Sequence, residues 1–256
     1  MIIHKGNLSA PMGYRNNIPI WDGKKEFIDP VTIPFYVENI SDSIETVSIR
    51  QILPYSPSNT IEISSDGQNW TTLGTTSTTA LTFSLPVGSK IYMRANANSF
   101  SDNNITGCSK VGGNIMSLLY GSNFTGSEVT FPGNYISQFL GLFYSNNKLN
   151  DAGELILPAT TLTQTCYREM FIYCDSLVTG PKIMAKTLAD GSCMAMFMSC
   201  SKLNDITIYA DDISANSCLQ EWVDGVAATG TFRKRTSTTY PTGVSGIPTG
   251  WTVVNL

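Results

Sequence analysis

Three stretches in the second half of the chain can be laid over one another. They are Leu142-Phe143-Tyr144-Ser145-Asn146-Asn147-Lys148-Leu149, Met170-Phe171-Ile172-Tyr173-Cys174-Asp175-Ser176-Leu177 and Met196-Phe197-Met198-Ser199-Cys200-Ser201-Lys202-Leu203. The spacing is 28 residues (142 to 170) and then 26 (170 to 196). Such a period constrains the fold more than any local propensity, because a unit of this length cannot bury its apolar face alone and must stack on its neighbours. A weaker copy precedes the three, with Leu118 in the Phe place and Phe124 in the Leu place. Another follows, with Trp222-Val223 in place of Met196-Phe197. Five units with degenerate outer members predict a capped solenoid.

Within a unit, the apolar spacing of Cys166 to Phe171 and of Cys193 to Phe197 predicts a short helical segment, followed by a polar turn that ends on the Leu. Strand-like runs come after the turns: Val129-Thr130-Phe131-Pro132, Leu155-Ile156-Leu157-Pro158, Lys182-Ile183-Met184 and Ile206-Thr207-Ile208-Tyr209. The expected repeat core is Phe143, Leu149, Cys166, Met170, Phe171, Cys174, Leu177, Cys193, Met196, Phe197, Cys200 and Leu203. The final stretch, Ile247-Pro248-Thr249-Gly250-Trp251-Thr252-Val253-Val254, predicts a β cap over the open end of the stack.

The first half has another rhythm. Ile33 to Val37, Glu45 to Arg50, Ile61 to Ser64, Trp70 to Leu73, Leu81 to Leu85 and Lys90 to Arg94 are short alternating runs, and Asp66-Gly67 is a hairpin turn signal. They predict a small β-sandwich. Residues 1 to 30 follow no period, yet Ile18-Pro19-Ile20-Trp21 and Phe27-Ile28 give them more apolar bulk than a solvated tail carries, and Tyr14, Arg15, Ile18, Ile20, Trp21 and Phe27 are their candidate docking residues. We expect an extended arm there that orders against a partner or a neighbouring subunit.

The pattern Cys-x-x-x-Met-Phe-x-x-Cys-x-x-Leu from Cys166, recurring one residue shorter from Cys193, resembles the BspA-like leucine-rich repeats. Leu157-Pro158-Ala159-Thr160-Thr161-Leu162 looks like the linker between two such repeats. The stretch Ser64 to Trp70 with Gly88 to Ala95 is similar to the β-sandwich that precedes these repeats in structural proteins of phages of gut Bacteroides-type bacteria, as is the ending Ile-Pro-Thr-Gly-Trp-Thr-Val. The resemblance covers about residues 105 to 230 for the repeats, and it implies a virion-surface or adhesin role rather than an activity. The outer units lack the Met-Phe pair, so partner contacts are not carried onto them.

Composition narrows the chemistry. Only 14% of residues are charged, against roughly a quarter in an ordinary domain, and Ser, Thr, Asn and Gly supply the polarity instead. The net charge of -4 without a basic stripe speaks against nucleic-acid binding. No run reaches the ~18 apolar residues of a membrane span, and residues 1 to 7 hold no signal-like apolar stretch, so neither membrane insertion nor export by that route is expected. His4 is the single histidine, which removes Ser-His-Asp and Cys-His chemistry and leaves a zinc site short of ligands. The six cysteines read as core filling, with a disulfide between the stacked Cys174 and Cys200 as the rival. Asp151/Glu154, Asp205/Asp211/Asp212 and Glu221/Asp224 are the carboxylate groups that acid-base work on a glycan would use, and solvated turn acids are their plainer reading. Tyr144, Tyr173 and Tyr209 could stack on sugar rings or pack between coils. No phosphate-cradling glycine motif is present, Gly112-Gly113 included.

The expected fold is therefore mostly β with short helices. It comprises an extended arm (1–30), a β-sandwich (31–100), a leucine-rich-repeat-like solenoid (101–235) and a C-terminal β cap (236–256). The expected function is that of a non-enzymatic accessory protein of a phage particle, a head fibre or capsid decoration at the virion surface. It would need no catalytic residue, metal or cofactor, would dock on capsid or other virion proteins by its arm, and would form a homo-oligomer, a trimer by preference. The alternative is an adhesin for host-surface glycan, on a tail fibre or a bacterial cell surface.

Overall fold

The computed structural model describes residues 32–52, 58–97, 99–133 and 135–256, with the backbone alone at Tyr14–Arg15 (β1) and Ile18–Pro19 (β2). The described chain is mostly β, in two main sheets.

The first half alternates as a half-buried sheet must. In β4 (Glu45–Gln51) residues Glu45, Val47, Ile49 and Gln51 are buried while Thr46 and Arg50 face solvent. It lies between β7 (Leu81–Leu85) and β9 (Asn103–Thr106) in a three-stranded sheet. The second sheet contributes β3 (Tyr36–Glu38), β8 (Lys90–Ala95), β5 (Thr60–Ser64) and β6 (Thr71–Thr75) to the same apolar core, which holds Val37, Ile61 and Met93 beside Val47, Ile49, Leu85 and Ile105. Asp66 and Gly67 turn the β5–β6 hairpin. Gly67 takes φ +74°, and the Asp66 carboxylate accepts from the Gln68 and Asn69 amides, both at 2.8 Å.

That second sheet does not stop at the sandwich. Its strand β10 (Lys110–Asn114) pairs antiparallel with β3 on one side and parallel with β11 (Asp151–Leu157) on the other. From there β12 (Thr179–Ile183), β13 (Asp205–Ile208), β14 (Thr231–Lys234) and β15 (Thr252–Asn255) add one after another, all parallel. The result is one ten-stranded sheet in the order β15-β14-β13-β12-β11-β10-β3-β8-β5-β6. Glycines make the hand-over fit. A Cβ on Gly112 would fall 2.3 Å from the Tyr36 ring, and Gly113, at φ +77°, brings its Cα against the Pro34 carbonyl.

Between successive parallel strands the chain returns through turns, not through the short helices that Cys166 to Phe171 and Cys193 to Phe197 suggest. The described α-helix is a single turn, α1 (Ser117–Tyr120). In the returns, alternate backbone amides do different things. Cys166, Arg168, Met170, Ile172 and Cys174 donate to carbonyls three residues back, while Thr165, Tyr167, Glu169, Phe171 and Tyr173 donate to Asp190, Ser192, Met194, Met196 and Met198 of the next coil at 2.8–3.0 Å. The same alternation joins Ser137 to Ser145 with Gln164 to Ile172, and Gly191 to Ser199 with Asn216 to Asp224. The apolar residues sit in adjacent pairs every four positions, which imitates a helix face, but half of the N–H groups have left the coil and no i→i−4 ladder forms.

This winding needs a left-handed residue at every fourth place. Ser137, Gly141 and Ser145 supply it in one coil, Thr165, Glu169 and Tyr173 in the next, Gly191, Ala195 and Ser199 in the third, and Ser217, Glu221 and Gly225 in the fourth, all with φ between +50° and +75°. Positive φ at the third residue of a turn is the type II requirement, which favours glycine. Inside the coils the rings of Phe35, Phe143, Phe171, Phe197, Trp222, Phe232 and Tyr240 touch in series, with centroids 5.0–6.0 Å apart. Two further expectations shift. Val129 to Pro132 is not a strand, because β10 already fills the first place in the parallel ladder, and Val129 instead gives its carbonyl to the Thr160 amide at 2.9 Å. The stretch from Ile247 adds β15 to the ladder, with Trp251 buried behind it and its indole N–H on the Ala227 carbonyl at 2.7 Å.

The left-handed positions give a direct test. Gly141→Ala has room, the nearest atom being 3.8 Å from a new Cβ, so its expected loss of about 1 kcal/mol in urea unfolding comes from the backbone alone. Ser199→Gly, at φ +60° on the coil surface, should hold or slightly raise the stability, whereas a glycine at an ordinary position lowers it.

Candidate functional site

Strands β8, β3, β10, β11 and β12 lie side by side, and the residues they turn away from the core meet on the other face. Period-2 alternation fixes which these are: Lys90 and Tyr92, Tyr36 and Glu38, Lys110 and Gly112, Glu154 and Ile156, and Lys182. All of these but Gly112, which the Tyr36 ring covers, line a cleft of about 320 Å³ together with Ile33 and Gly113.

Its charges form a chain. Glu38 takes ion pairs from Lys90 at 3.6 Å and Lys110 at 3.2 Å, and Lys110 reaches on to Glu154 at 3.0 Å. The Tyr36 hydroxyl donates to the second Glu154 oxygen, and the Lys90 ammonium stands 3.9 Å over the Tyr36 ring. Tyr36 and Tyr92 pack edge to face. Burial works against the Glu154 charge, yet the Tyr36 and Lys110 donors outweigh it and hold the carboxyl below its ordinary pKa. Burial likewise opposes the Lys110 ammonium, and Glu154 with Glu38 keeps its pKa above the usual lysine value. Lys182 lies at the end of the row, in register with Ile156 and Thr207, and there burial wins: its pKa is lowered, with only Glu154 opposing.

Of the sequence-derived carboxylates, Glu154 alone enters this cleft. Asp151 accepts the Gly153 amide at 2.8 Å, and Asp205 is paired with Arg233. Asp211 is held by Arg235 at 2.9 Å and by the Ser237 hydroxyl, and Asp212 takes the Ser214 amide at 3.0 Å. Glu221 and Asp224 are exposed on the last coil. Asp151, Asp205, Asp211 and Asp212 thus serve turns and strand ends, and among the described residues no group of three or more His, Cys, Asp or Glu is placed to hold a metal ion. Among the described residues, too, no helix is long and apolar enough to cross a membrane.

The sugar-stacking candidates divide. Tyr144 and Tyr173 are exposed and touch edge to face across adjacent coils, ring centroids 5.8 Å apart, while Tyr209 is half-buried. The twelve repeat-core residues, Phe143 to Leu203, are all fully buried. The arm lies otherwise: Ile20, Trp21 and Phe27 fall outside the described residues, as do the side chains of Tyr14, Arg15 and Ile18, whose backbone forms the β1–β2 pair.

All six cysteines are free and buried. Cys174 and Cys200 each donate an S–H to the carbonyl of the aromatic residue one coil back, Phe143 and Phe171, both at 3.0 Å. Burial pushes Cys108, Cys193 and Cys200 up to about 12 and Cys166 and Cys174 well above the ordinary thiol value.

Sequence reasoning missed Tyr36, Glu38, Lys90, Lys110 and Lys182 as a group. Alternation tells which face each takes, but their meeting depends on strand order, which places β3 between β8 and β10. Comparison with protein-family models, curated proteins and solved structures gives no match to this chain.

Because the thiolate is the reactive form, an aromatic disulfide reagent at pH 8 should leave the thiols of the folded chain unmodified over the time in which the denaturant-unfolded chain gives its full six equivalents. Rapid reaction of Cys174 or Cys200 in the folded state would contradict their placement.

Proposed function

We propose that the chain is a non-enzymatic structural accessory protein of a phage particle, a head fibre or capsid decoration at the virion surface, and that residues 101–235 are a BspA-like, leucine-rich-repeat-like solenoid. The observation that carries this reading is the coil-to-coil stacking of the repeats. Amides of one coil bond carbonyls 25 to 27 residues ahead, and the aromatic rings run on through the same coils. That arrangement suits a stiff display element. The engagement of Asp151, Asp205, Asp211 and Asp212 in ion pairs and turn caps also favours a structural over a hydrolytic role. In this reading residues 1–30 dock on capsid or other virion proteins, residues 31–100 act as spacer, residues 236–256 cap the coils, and the protein works as a homotrimer matched to the symmetry of its docking site. Cross-linking mass spectrometry on purified particles should recover the chain and join residues 1–30 to a capsid protein. Deleting those residues should abolish particle binding and leave the melting temperature unchanged, and particles free of the chain would refute the assignment.

A second reading, an adhesin for host-surface glycan on a tail fibre or a bacterial cell, is favoured by the exposed Tyr144–Tyr173 pair. Aromatic faces on a Ser- and Asn-rich surface suit sugar rings. If it holds, the full chain gives a defined hit on a glycan array, and Tyr173→Ala removes that hit without loss of stability.

A further inference from the structure

We propose that the cleft over β8, β3, β10, β11 and β12 is a binding site for a small acidic saccharide, a hexuronate unit whose carboxylate sits on Lys182 and whose hydroxyls bond Glu154. The case begins with a charge inventory. The cleft holds three ammonium groups, Lys90, Lys110 and Lys182, and two carboxylates, Glu38 and Glu154. Both carboxylates are engaged within the cleft, Glu38 by Lys90 and Lys110, Glu154 by Lys110 and the Tyr36 hydroxyl. Three cations against two anions leaves one positive charge. It resides on Lys182, whose ammonium has no ion pair or hydrogen bond among the described residues and feels the Glu154 charge only at longer range.

Lys182 is not an ordinary solvated lysine. It is partly buried on the face of the sheet, and its ladder neighbours are the uncharged Ile156 and Thr207. Removing an ammonium from water without a partner is unfavourable, and its lowered pKa records that penalty. Within the fold the Glu154 charge offsets it only in part, and the core side of β12 is already filled by the buried Ile183. A bound anion would supply the missing partner.

The surroundings narrow the anion. A single surplus charge, with Glu38 and Glu154 close by, suits a monoanion better than a phosphate dianion. The volume of about 320 Å³ lies at the lower end of small-molecule sites. Ile33 and Ile156 offer apolar contact along the cleft. Each Glu154 oxygen accepts one hydrogen bond from the protein and has a second lone pair left for a donor. A carboxylate, a ring and hydroxyl donors together describe a uronic acid. The site is separate from the exposed Tyr144–Tyr173 pair and does not depend on the virion reading.

The test follows the lysine Cε–Hε NMR signals of the full chain, assigned with Lys182→Met, while sodium glucuronate is added. Saturable shifts at Lys182 in the millimolar range and a rise in its pKa on binding are expected, with glucose silent over the same range. Lys182→Met should weaken glucuronate binding about tenfold or more while its melting temperature stays level or rises, since a lone half-buried charge has been removed. Silence toward glucuronate, or a clear loss of stability in Lys182→Met, would overturn the site. Acetate or inorganic phosphate saturating at the same concentration as glucuronate would overturn the saccharide and leave a bare anion-binding lysine.

Discussion

The backbone amides of the return turns, from Ser137 to Ser199, hold the second half of the molecule together. Half of them close turns inside their own coil and half cross to the next. Each crossing bond is worth only about 1 kcal/mol net, but the alternation leaves few turn amides without a partner, and buried turns without partners would be untenable. The parallel strands on the far side of each coil are then carried at matching intervals, so the ladder β10 to β15 and the turn stack enforce one another. The left-handed residues follow from the same constraint. A non-glycine residue there costs about 1–2 kcal/mol, and Thr165, Glu169 and Tyr173 accept it because each also sends its amide to the next coil.

The side chains repeat this logic in columns. Phe143, Phe171 and Phe197 stack at 5.0 and 5.5 Å, in a range where aromatic pairs contribute roughly 0.5–1.5 kcal/mol beyond burial. Cys174 and Cys200 occupy the next column and point their thiols at the carbonyls of those same phenylalanines. In the coil before, that place belongs to Asn146, whose amide reaches the Cys108 carbonyl at 3.4 Å. A small side chain able to donate one hydrogen bond is what the column requires. A disulfide would take both thiols away from those carbonyls.

The strands were largely legible because alternation survives in the amino-acid order: β4, β5, β7, β8 and β13 lie where Val47 and Ile49, Ile61 and Ile63, Leu81 to Leu85, Ile91 and Met93, and Ile206 and Ile208 indicate. The burial of the twelve residues from Phe143 to Leu203 follows from the same kind of pattern, since equivalent places carry the same or similar side chains. The returns were not. Paired apolar residues every four positions satisfy a helical period as well as a stacked turn, and the distinction rests on long-range amide bonds that no local window contains. One signal was nevertheless present. Each left-handed column holds a glycine in one coil, Gly141 beside Glu169, Gly191 beside Thr165 and Gly225 beside Ser199, and aligning the coils by glycine would have exposed the turns. Strand β10 was hidden because Gly112 and Gly113 dilute its apolar signal, although the close approach of Tyr36 and Pro34 is what demands them.

The cleft was illegible for a deeper reason, and that reason bears on what it is. Its lysines and carboxylates lie on five strands drawn from residues 36 to 182, brought together only because β10 joins the sandwich sheet to the parallel ladder. Elsewhere along the sheet Arg94 pairs with Glu62 and Arg233 with Asp205. At the seam the cations outnumber the acids. Lys182, half-buried and lining the cleft beside its ladder neighbour Ile156, makes that surplus a property of a pocket rather than of an open surface.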